Sequence, residues 1–307
     1  MKGEIVIGSR GSKLALIQAG YVADRIKEAN PHLEISIRTI VTTGDRNTHI
    51  QFDQMNVIGI FVKELETALI EGRIDLAVHS LKDMPTEIPE ELCLAATIER
   101  ADPRDVLVSG YGTIDQLPPG AKIGTGSLRR EVQVARLRPD VKAGGIRGNV
   151  DTRLRKVADG EFAGVILAAA AMQRLVRESE ITEYLSVESF LPAVGQGALG
   201  IETRRGDEEI IEIVSAINHL PTWQAISAER AFLYALGGGC RAPIAALGTV
   251  KGDILKLEGM VASVSQRKML CDSIEGSAAA PENAGQELAR KLLDRGASDF
   301  IAEVKDD

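Results

Sequence analysis

The chain has 307 residues, 44% of them hydrophobic and 26% charged, which is enough for two or three domains that each have a core. It has no apolar run long enough to span a membrane, and its first residues include an acid and glycines where a secretion signal needs an apolar segment. Its three widely spaced cysteines indicate a reducing cytoplasm, and its net charge of -8 argues against a nucleic-acid partner.

Strand-like and helix-like segments alternate through the first two thirds of the chain. The first series predicts strands at 4–8, 34–42 and 74–79 with helices at 14–29 and 60–71. The second predicts strands near 106–109, 122–124, 141–143 and 164–167, with helices after Ser127 and Asn149. This β-α-β order predicts an α/β fold whose sheets contain parallel pairs.

The last third has a different pattern. A helix is predicted at 221–236, and it is followed by the three strands 244–250, 254–264 and 268–274. A final helix at 281–294 begins with a proline and ends before a glycine. Three antiparallel strands with a helix indicate a small α+β domain.

Two turns rich in glycine and hydroxyl groups lead from a predicted strand into a predicted helix, at 7–12 and at 123–127. Ser12 and Ser127 are placed to cap these helices. Two helix N-termini that face a shared cleft would form an anion site. Chance similarity between two short turns is the alternative.

Basic residues are concentrated between residues 121 and 156. This stretch has ten Lys or Arg and three acids, a local charge of +7, so the rest of the chain carries -15. Arg129 and Arg130 occupy the first turn of a predicted helix, where the macrodipole favours acids. A bound anion would remove this conflict, and a solvated helix face is the alternative.

Further arginines occur at neighbouring helix starts. Arg147 precedes the predicted cap Asn149, and Arg153 lies one turn into that helix. The guanidinium fork suits carboxylate or phosphate groups. Together with Arg10, these residues predict a ligand that carries several negative charges.

No nucleotide or metal site is predicted. The segment from Gly195 to Gly200 matches G-x-G-x-x-G, but strand-like residues follow it where a nucleotide site needs a helix. The four histidines show no metal-ligand spacing, and His79 is interpreted as a structural histidine at a strand end.

Two residues are candidates for direct chemistry. Asp83 follows a predicted strand at the sheet edge where ligands bind, and it is either a turn residue before Pro85 or a general acid/base that also stabilises positive charge. Cys240 follows Gly237, Gly238 and Gly239 and precedes an arginine, which suggests an attachment point. An inert cysteine after a glycine-capped helix is the alternative.

Several segments, in this order along the chain, resemble the porphobilinogen deaminase family, also called the hydroxymethylbilane synthase family. They are Ser9 to Leu16, Phe61 to Glu66, His79 to Pro85, Gly124 to Arg130, Arg147 to Val150, Leu191 to Ala198, and Gly238 to Cys240.

The resemblance implies two α/β lobes with mixed sheets, similar to type II periplasmic binding proteins, and a small C-terminal α+β domain. The implied division is 1–97 with 195–216 for the first lobe, which carries the catalytic aspartate, and 98–194 for the second, which carries the arginines. Residues 217–307 form the third domain, with the cysteine that anchors the cofactor.

The resemblance also implies a transferase of porphyrin (heme) biosynthesis. Such enzymes join four porphobilinogen molecules head to tail, with loss of ammonia, on a dipyrromethane primer that a thioether links to a cysteine, here Cys240. Each pyrrole carries an acetate and a propionate. Loss of ammonia leaves a cationic methylene-pyrrole, and the α-carbon that attacks it then loses a proton. Asp83 matches the family aspartate that stabilises these cations and shuttles protons.

The remaining site residues follow the family motifs. The cofactor contacts are expected at Ser12, Lys82, Asp83, Thr125, Ser127, Arg129, Arg130, Arg147 and Gly148. The substrate contacts are expected at Arg10, Ser12, Arg147, Arg153, Arg174 and Gln196. A cytoplasmic monomer is expected. One departure is the segment from Asn56 to Ile60, where the family usually carries a Gly-Gly-Lys-Gly type loop.

The main alternative is a non-catalytic anion-binding protein with the same paired lobes. Such a protein would need neither Asp83 nor Cys240, and it would normally lack the third domain. The effector domain of a transcription regulator would require a helix-turn-helix, and none precedes the first predicted strand.

Overall fold

The computed structural model describes residues 3–41, 62–237, 242–265 and 268–303. The chain divides into two compact units, Met1–Arg100 with Ala198–Trp223, and Ala101–Gly197 with Gln224–Asp307. Within the described ranges, no helix is long and apolar enough to cross a membrane.

The helices and strands of the described residues are numbered in chain order. They are β1 (Glu4–Ser9), α1 (Lys13–Ala29), β2 (Glu34–Thr39), α2 (Lys63–Ile70), β3 (Leu76–Ser80), β4 (Leu92–Thr97), β5 (Asp105–Ser109), β6 (Lys122–Thr125), α3 (Leu128–Leu137), β7 (Lys142–Gly145), α4 (Val150–Ala158), β8 (Gly164–Ala168), α5 (Ala169–Arg174), β9 (Glu183–Tyr184), β10 (Leu199–Arg204), α6 (Glu208–Ser215), α7 (Leu220–Ala235), β11 (Ile244–Lys251), β12 (Ile254–Ser263), β13 (Lys268–Ser277), α8 (Pro281–Leu293) and α9 (Ala297–Ala302).

The first unit contains a mixed sheet in the order β2-β1-β3-β10-β4. Strand β1 pairs in parallel with β2 and β3, whereas β10 is antiparallel to both β3 and β4. Helix α1 covers this sheet through Ala19, Val22 and Ile26, whose spacing of three and four residues forms one buried face. The predicted parallel pairs are confirmed.

The second unit contains a sheet of the same design, in the order β7-β6-β8-β5-β9. Strand β6 pairs in parallel with β7 and β8, and β5 is antiparallel to β8 and β9. Strand β8 is buried along its whole length, as its unbroken apolar sequence predicts. In each sheet, therefore, the strand that is antiparallel to both of its neighbours (β10 in the first sheet and β5 in the second) lies second from one edge.

The C-terminal part of the second unit is a three-stranded antiparallel sheet, β11-β12-β13. Helix α8 has Pro281 in its first turn, as predicted, and buries Leu288 and Leu292 in a core shared with Phe232 of α7. The predicted fold class, two α/β lobes with mixed sheets and a small α+β domain, is confirmed.

Candidate active site

Lys82 and Asp83 lie on a single 3-10 turn, Leu81–Asp83, that directly follows β3. The turn is closed by a bond from Met84 N–H to the Leu81 carbonyl (3.2 Å), and Leu81 N–H donates to the Ala198 carbonyl (3.1 Å). Leu81 is buried, whereas Asp83 is exposed. The turn therefore presents the Asp83 carboxylate to solvent from an anchored backbone.

Gly200 makes room for this turn. It lies in β10 opposite His79, and a Cβ added to it would come within 2.7 Å of Leu81 Cδ2 and 2.8 Å of Leu94 Cδ1. The position of Leu81 thus depends on the missing side chain at Gly200. The interpretation that the G-x-G-x-x-G segment runs into a strand is confirmed.

His79 and Glu202 form a buried pair across β3 and β10, with 2.9 Å between Nε2 and Oε2. The structural interpretation of His79 is confirmed by this contact. Glu66 on α2 interacts electrostatically with this pair. Burial is the main cause that raises the pKa of its carboxyl, and the negative charge of Glu202 raises that pKa further.

The turn between β1 and α1 carries Arg10 and Ser12. Ser12 caps α1 as predicted, since its Oγ accepts from Ala15 N–H (3.2 Å). Gln18, a buried polar residue on the apolar face of α1, was not predicted from the sequence as part of the site. Its amide exchanges hydrogen bonds with the Ser80 hydroxyl at the end of β3 (2.9 and 3.1 Å). A lone glutamine among apolar positions is the signal that could have found it.

In the second unit, the arginines at the start of α3 are buried around Asp105. Arg129 Nη1 lies 2.7 Å from Asp105 Oδ2, and Arg130 Nη2 lies 2.6 Å from Oδ1. Arg129 Nη1 also donates to the Leu191 carbonyl (2.8 Å), and Arg130 Nη1 donates to the Ile166 carbonyl (2.9 Å). The conflict between two arginines and a helix N-terminus is thus partly relieved by a carboxylate of the protein itself.

Gln196 joins the same cluster. Its Nε2 donates to Asp105 Oδ1 (3.0 Å) and to the Pro103 carbonyl (2.7 Å). Burial alone would raise the pKa of the Asp105 carboxyl, but the charges of Arg129 and Arg130 outweigh it and hold that pKa well below its usual range. The carboxylate is therefore ionised, and the two guanidinium groups leave the cluster with one net positive charge.

The start of α3 keeps donor groups for a ligand. Ser127 occupies the N-cap position as predicted, but its side chain makes no capping hydrogen bond. The Thr125 hydroxyl accepts from Ser127 N–H (3.2 Å). Arg129 Nε is buried and has no hydrogen-bond partner within the described residues.

The segment before α4 brings Arg147, Gly148 and Arg153 together. Asn149 caps α4 as predicted, with its Oδ1 accepting from Thr152 N–H (2.9 Å). Gly148 has a φ of 107°, and its carbonyl accepts from Arg153 Nε (2.8 Å). Arg147 is exposed. The helix start therefore carries two guanidinium groups, one of them fixed to the backbone.

Other basic residues have structural partners. Arg174 Nη2 donates to the Gly197 carbonyl (2.8 Å). Arg138 pairs with Asp140 (2.6 Å), and Lys122 lies 4.4 Å from the centre of the Phe162 ring. The local charge of 121–156 therefore overstates the number of cations available to a ligand.

Cys240, Arg241 and the segment 56–60 lie outside the described residues. Among the residues that are described, no group of three His, Cys, Asp or Glu side chains is arranged to hold a metal ion.

Most of the candidate residues share one location in their sheets, because they lie at or just after the carboxyl ends of the strands β1, β3, β6 and β7. Among the described candidates, Arg174, at the end of α5, and Gln196, before β10, are the exceptions. Asp105 is the first residue of the antiparallel strand β5 and lies opposite Ala168, the last residue of β8. It is therefore located at the carboxyl end of the parallel strands of its sheet. The fold and these residues define an α/β protein with polar clusters at the carboxyl ends of parallel strands, where such proteins bind ligands.

Comparison with known proteins gives the family. Residues 5–212 match "Porphobilinogen deaminase, dipyromethane cofactor binding domain", and residues 223–294 match "Porphobilinogen deaminase, C-terminal domain". The chain is 50% identical over 303 residues to the porphobilinogen deaminase of Moorella thermoacetica, covering 98% of this chain and 97% of that protein. For the Alkaliphilus metalliredigens enzyme the identity is 47%, over 99% and 96% of the two chains. The chain belongs to the porphobilinogen deaminase family.

Solved structures with some similarity include the methionine-binding protein MetQ (TM-score 0.45, 14% identity, 73% of this chain and 91% of that one). Another is the periplasmic VFT2 domain of Bordetella pertussis BvgS (TM-score 0.43, 16% identity, 70% and 86%). These scores are low, and the fold class rests on the sheets described above.

Proposed function

We propose that this chain is a porphobilinogen deaminase, a transferase that joins four porphobilinogen molecules head to tail. Each joining releases one ammonia. Hydrolysis of the bond to the primer then frees the linear tetrapyrrole hydroxymethylbilane, whose hydroxyl group comes from water. The observation that carries the proposal is the family match over residues 5–212, which includes Asp83 and the arginine cluster around Asp105.

The residues fit a dipyrromethane cofactor, whose rings carry acetate and propionate groups. Three features suit the binding of carboxylates. Arg129 Nε is buried and has no partner among the described residues, and the Ser127 side chain makes no capping hydrogen bond. The cluster around Asp105 also has a net positive charge. When bound, the cofactor supplies the pyrrole carbon to which the first substrate is joined.

We assign the remaining roles by family motif. The residues that hold the cofactor are Ser12, Lys82, Asp83, Thr125, Ser127, Arg129, Arg130, Arg147 and Gly148, with a thioether to Cys240. The residues that bind the substrate carboxylates are Arg10, Ser12, Arg147, Arg153, Arg174 and Gln196.

Asp83 is assigned as the catalytic residue. Its exposed carboxylate stands on a turn that Leu81 and two backbone hydrogen bonds fix in place. There it stabilises positive charge on a pyrrole nitrogen when ammonia leaves, and it takes up the proton that the attacking carbon loses. A fixed carboxylate avoids the cost of reorganising solvent around each new charge.

We also propose that the chain forms three domains. The first consists of residues 1–97 with 195–216, the second of residues 98–194, and the third of residues 217–307. We further propose that the protein is a cytoplasmic monomer that binds no nucleic acid.

Intact-mass measurement tests the cofactor and its anchor. The purified chain is expected to show excess mass equal to two linked pyrrole rings, and Cys240→Ser is expected to remove it. The matched controls Cys93→Ser and Cys271→Ser should keep the excess mass. A fully active chain of unmodified mass would contradict the proposed cofactor and its anchor. An unmodified chain without activity would favour a protein that only binds anions.

Asp83→Asn tests the catalytic assignment. The variant is expected to carry the cofactor, as measured by mass, and to turn over roughly 10²- to 10⁴-fold more slowly, the usual contribution of a positioned acid/base. Asp24→Asn, on the exposed side of α1, is the control and should be as active as the unmodified chain. Near-normal turnover of Asp83→Asn would remove Asp83 from the mechanism.

A further inference from the structure

Asp105 occupies a position that no ligand could share. It is the first residue of β5, its side chain is fully buried, and both carboxylate oxygens accept hydrogen bonds from arginine. Gln196 is the third side chain that donates a hydrogen bond to this carboxylate. Asp105 therefore acts through the side chains that it holds in place.

The two arginines differ in which of their nitrogens form hydrogen bonds with Asp105. Arg130 offers Nε and Nη2 to Asp105 Oδ1 (3.1 and 2.6 Å) and Nη1 to the Ile166 carbonyl, so all three of its nitrogens are engaged. All hydrogen bonds of Arg129 to side chains and carbonyls of the described residues come from Nη1, which reaches Asp105 and the Leu191 carbonyl. The Nε–Nη2 edge of Arg129 is left for another partner.

The Leu191 peptide that receives Arg129 is itself fixed. Gln133 Nε2 donates to the Leu191 carbonyl (3.0 Å), and Leu191 N–H donates to Gln133 Oε1 (2.7 Å). Arg129 is therefore anchored through one nitrogen by two rigid acceptors. An arginine held in this way has lost its side-chain freedom before a ligand arrives, so binding does not have to order it.

We propose that Asp105 is a positioning residue that orients Arg129, so that the Nε–Nη2 edge binds a carboxylate of the pyrrole acid side chains. This inference rests on the function proposed above. A side-on guanidinium edge makes two parallel hydrogen bonds with a carboxylate, and such bonds depend strongly on the angle between the two planes. Loss of Asp105 is thus expected to affect ligand binding more than the chemical step at Asp83.

Asp105→Asn tests the proposal, with Asp102→Asn as the matched control. Asp102 lies three residues away and pairs with Arg104 (2.6 Å), so the same chemical change is made without touching Arg129 or Arg130. Intact mass gives the loaded fraction, thermal unfolding gives the folded fraction, and kinetics on the loaded molecules give KM and kcat.

In folded Asp105→Asn, the loaded fraction is expected to fall, or KM to rise, by about tenfold, as for other residues that orient a ligand-binding group. The kcat of loaded molecules should change much less than the loaded fraction or KM, because Asp83 is untouched, and Asp102→Asn should match the unmodified chain. A lower melting temperature with unchanged loading and KM would overturn the proposal. An unmodified chain without excess mass would instead contradict the proposed function.

A second measurement applies if Asp105→Asn does not fold. The cofactor-free Cys240→Ser chain is treated with phenylglyoxal, and modified arginines are located by peptide mass. Arg129 and Arg130 are expected to react more slowly than the exposed Arg147, because both guanidinium groups are buried and hydrogen-bonded to Asp105. Equal reaction rates would show that the pair is not positioned before the ligand binds, and would overturn the proposal.

Discussion

Val176 adopts a backbone conformation that disfavours its own side chain. Among the described residues, it alone of the non-glycine residues has a positive φ (56°), and 85% of its surface is exposed. It directly follows Leu175, the C-cap of α5, and its N–H donates to the Gln173 carbonyl (3.0 Å). A β-branched residue in this region is strained, and exposure offers no burial to offset the strain.

Val176→Gly is therefore expected to stabilise the chain by about 1 kcal/mol, because glycine adopts a positive φ without steric cost. The change is measured as the free energy of unfolding in urea. Gly160→Ala is the control of opposite sign, since Gly160 has a φ of 76° with open space around its Cβ position. It should destabilise by about 1 kcal/mol. Equal stability of all three chains would contradict the argument.

The sequence predicted that Arg129 and Arg130 need an anion, but it did not identify Asp105 as one. The carboxylate lies 24 and 25 residues before the two arginines, at the start of a strand that is antiparallel to its neighbours. A local sequence pattern indicates that a charged group needs a partner. The identity of a partner that is distant in sequence depends on which strands become neighbours in the sheet, which is a tertiary property.

At the level of elements, the glycines of 195–200 have separate structural roles. Gly197 has a φ of 89°, and a Cβ there would lie 2.5 Å from the Ala101 carbonyl oxygen. Ala101 N–H also donates to the Gly197 carbonyl (3.3 Å), so the chain enters and leaves the second unit side by side.

Gly197→Ala is expected to lower the free energy of unfolding by about 2 kcal/mol or more, because it combines an unfavourable φ with a clash against backbone. Gly206→Ala, where no atom lies within 4 Å of the Cβ position, should change it by less than about 0.5 kcal/mol. Urea unfolding measures both. A harmless alanine at 197 would mean that the two crossing segments can move apart at little cost.

Periodicity predicted the long elements to within one to three residues among those the structure describes, and it overlooked short ones. The six residues of α5 and the two of β9 are too few to show a period, and the edge strand β4 was not predicted. The sheet order could not be derived from periodicity either. Strand β10 lies between β3 and β4, and only its contacts with Val78 and Ala96 reveal that placement.

For the molecule as a whole, charge distribution predicts a dependence on salt. The chain is acidic, with a charge of -8, yet its candidate site collects arginines. Since the Debye length falls from about 10 Å at 0.1 M salt to about 3 Å at 1 M, attraction of the substrate carboxylates should weaken. The KM for porphobilinogen is expected to rise several-fold between roughly 0.05 and 0.5 M NaCl, with a smaller change in kcat.

Thermal unfolding over the same salt range is the control, and it should show that the chain stays folded. A KM that is constant or falls with salt would mean that the arginines are already neutralised by the protein itself, as Arg129 and Arg130 partly are by Asp105.

The position of β10 in the first sheet has a consequence for biosynthesis. All five strands of the second sheet come from one stretch, Asp105 to Tyr184, whereas the first sheet lacks a strand until Leu199–Arg204 has been translated. On the ribosome, β3 (which ends at Ser80) therefore has one unpaired apolar edge until β10 (Leu199–Arg204) has been made, about 120 residues later. Unpaired strand edges promote aggregation. The lobe whose synthesis begins first can therefore be completed only after all five strands of the second sheet have been made.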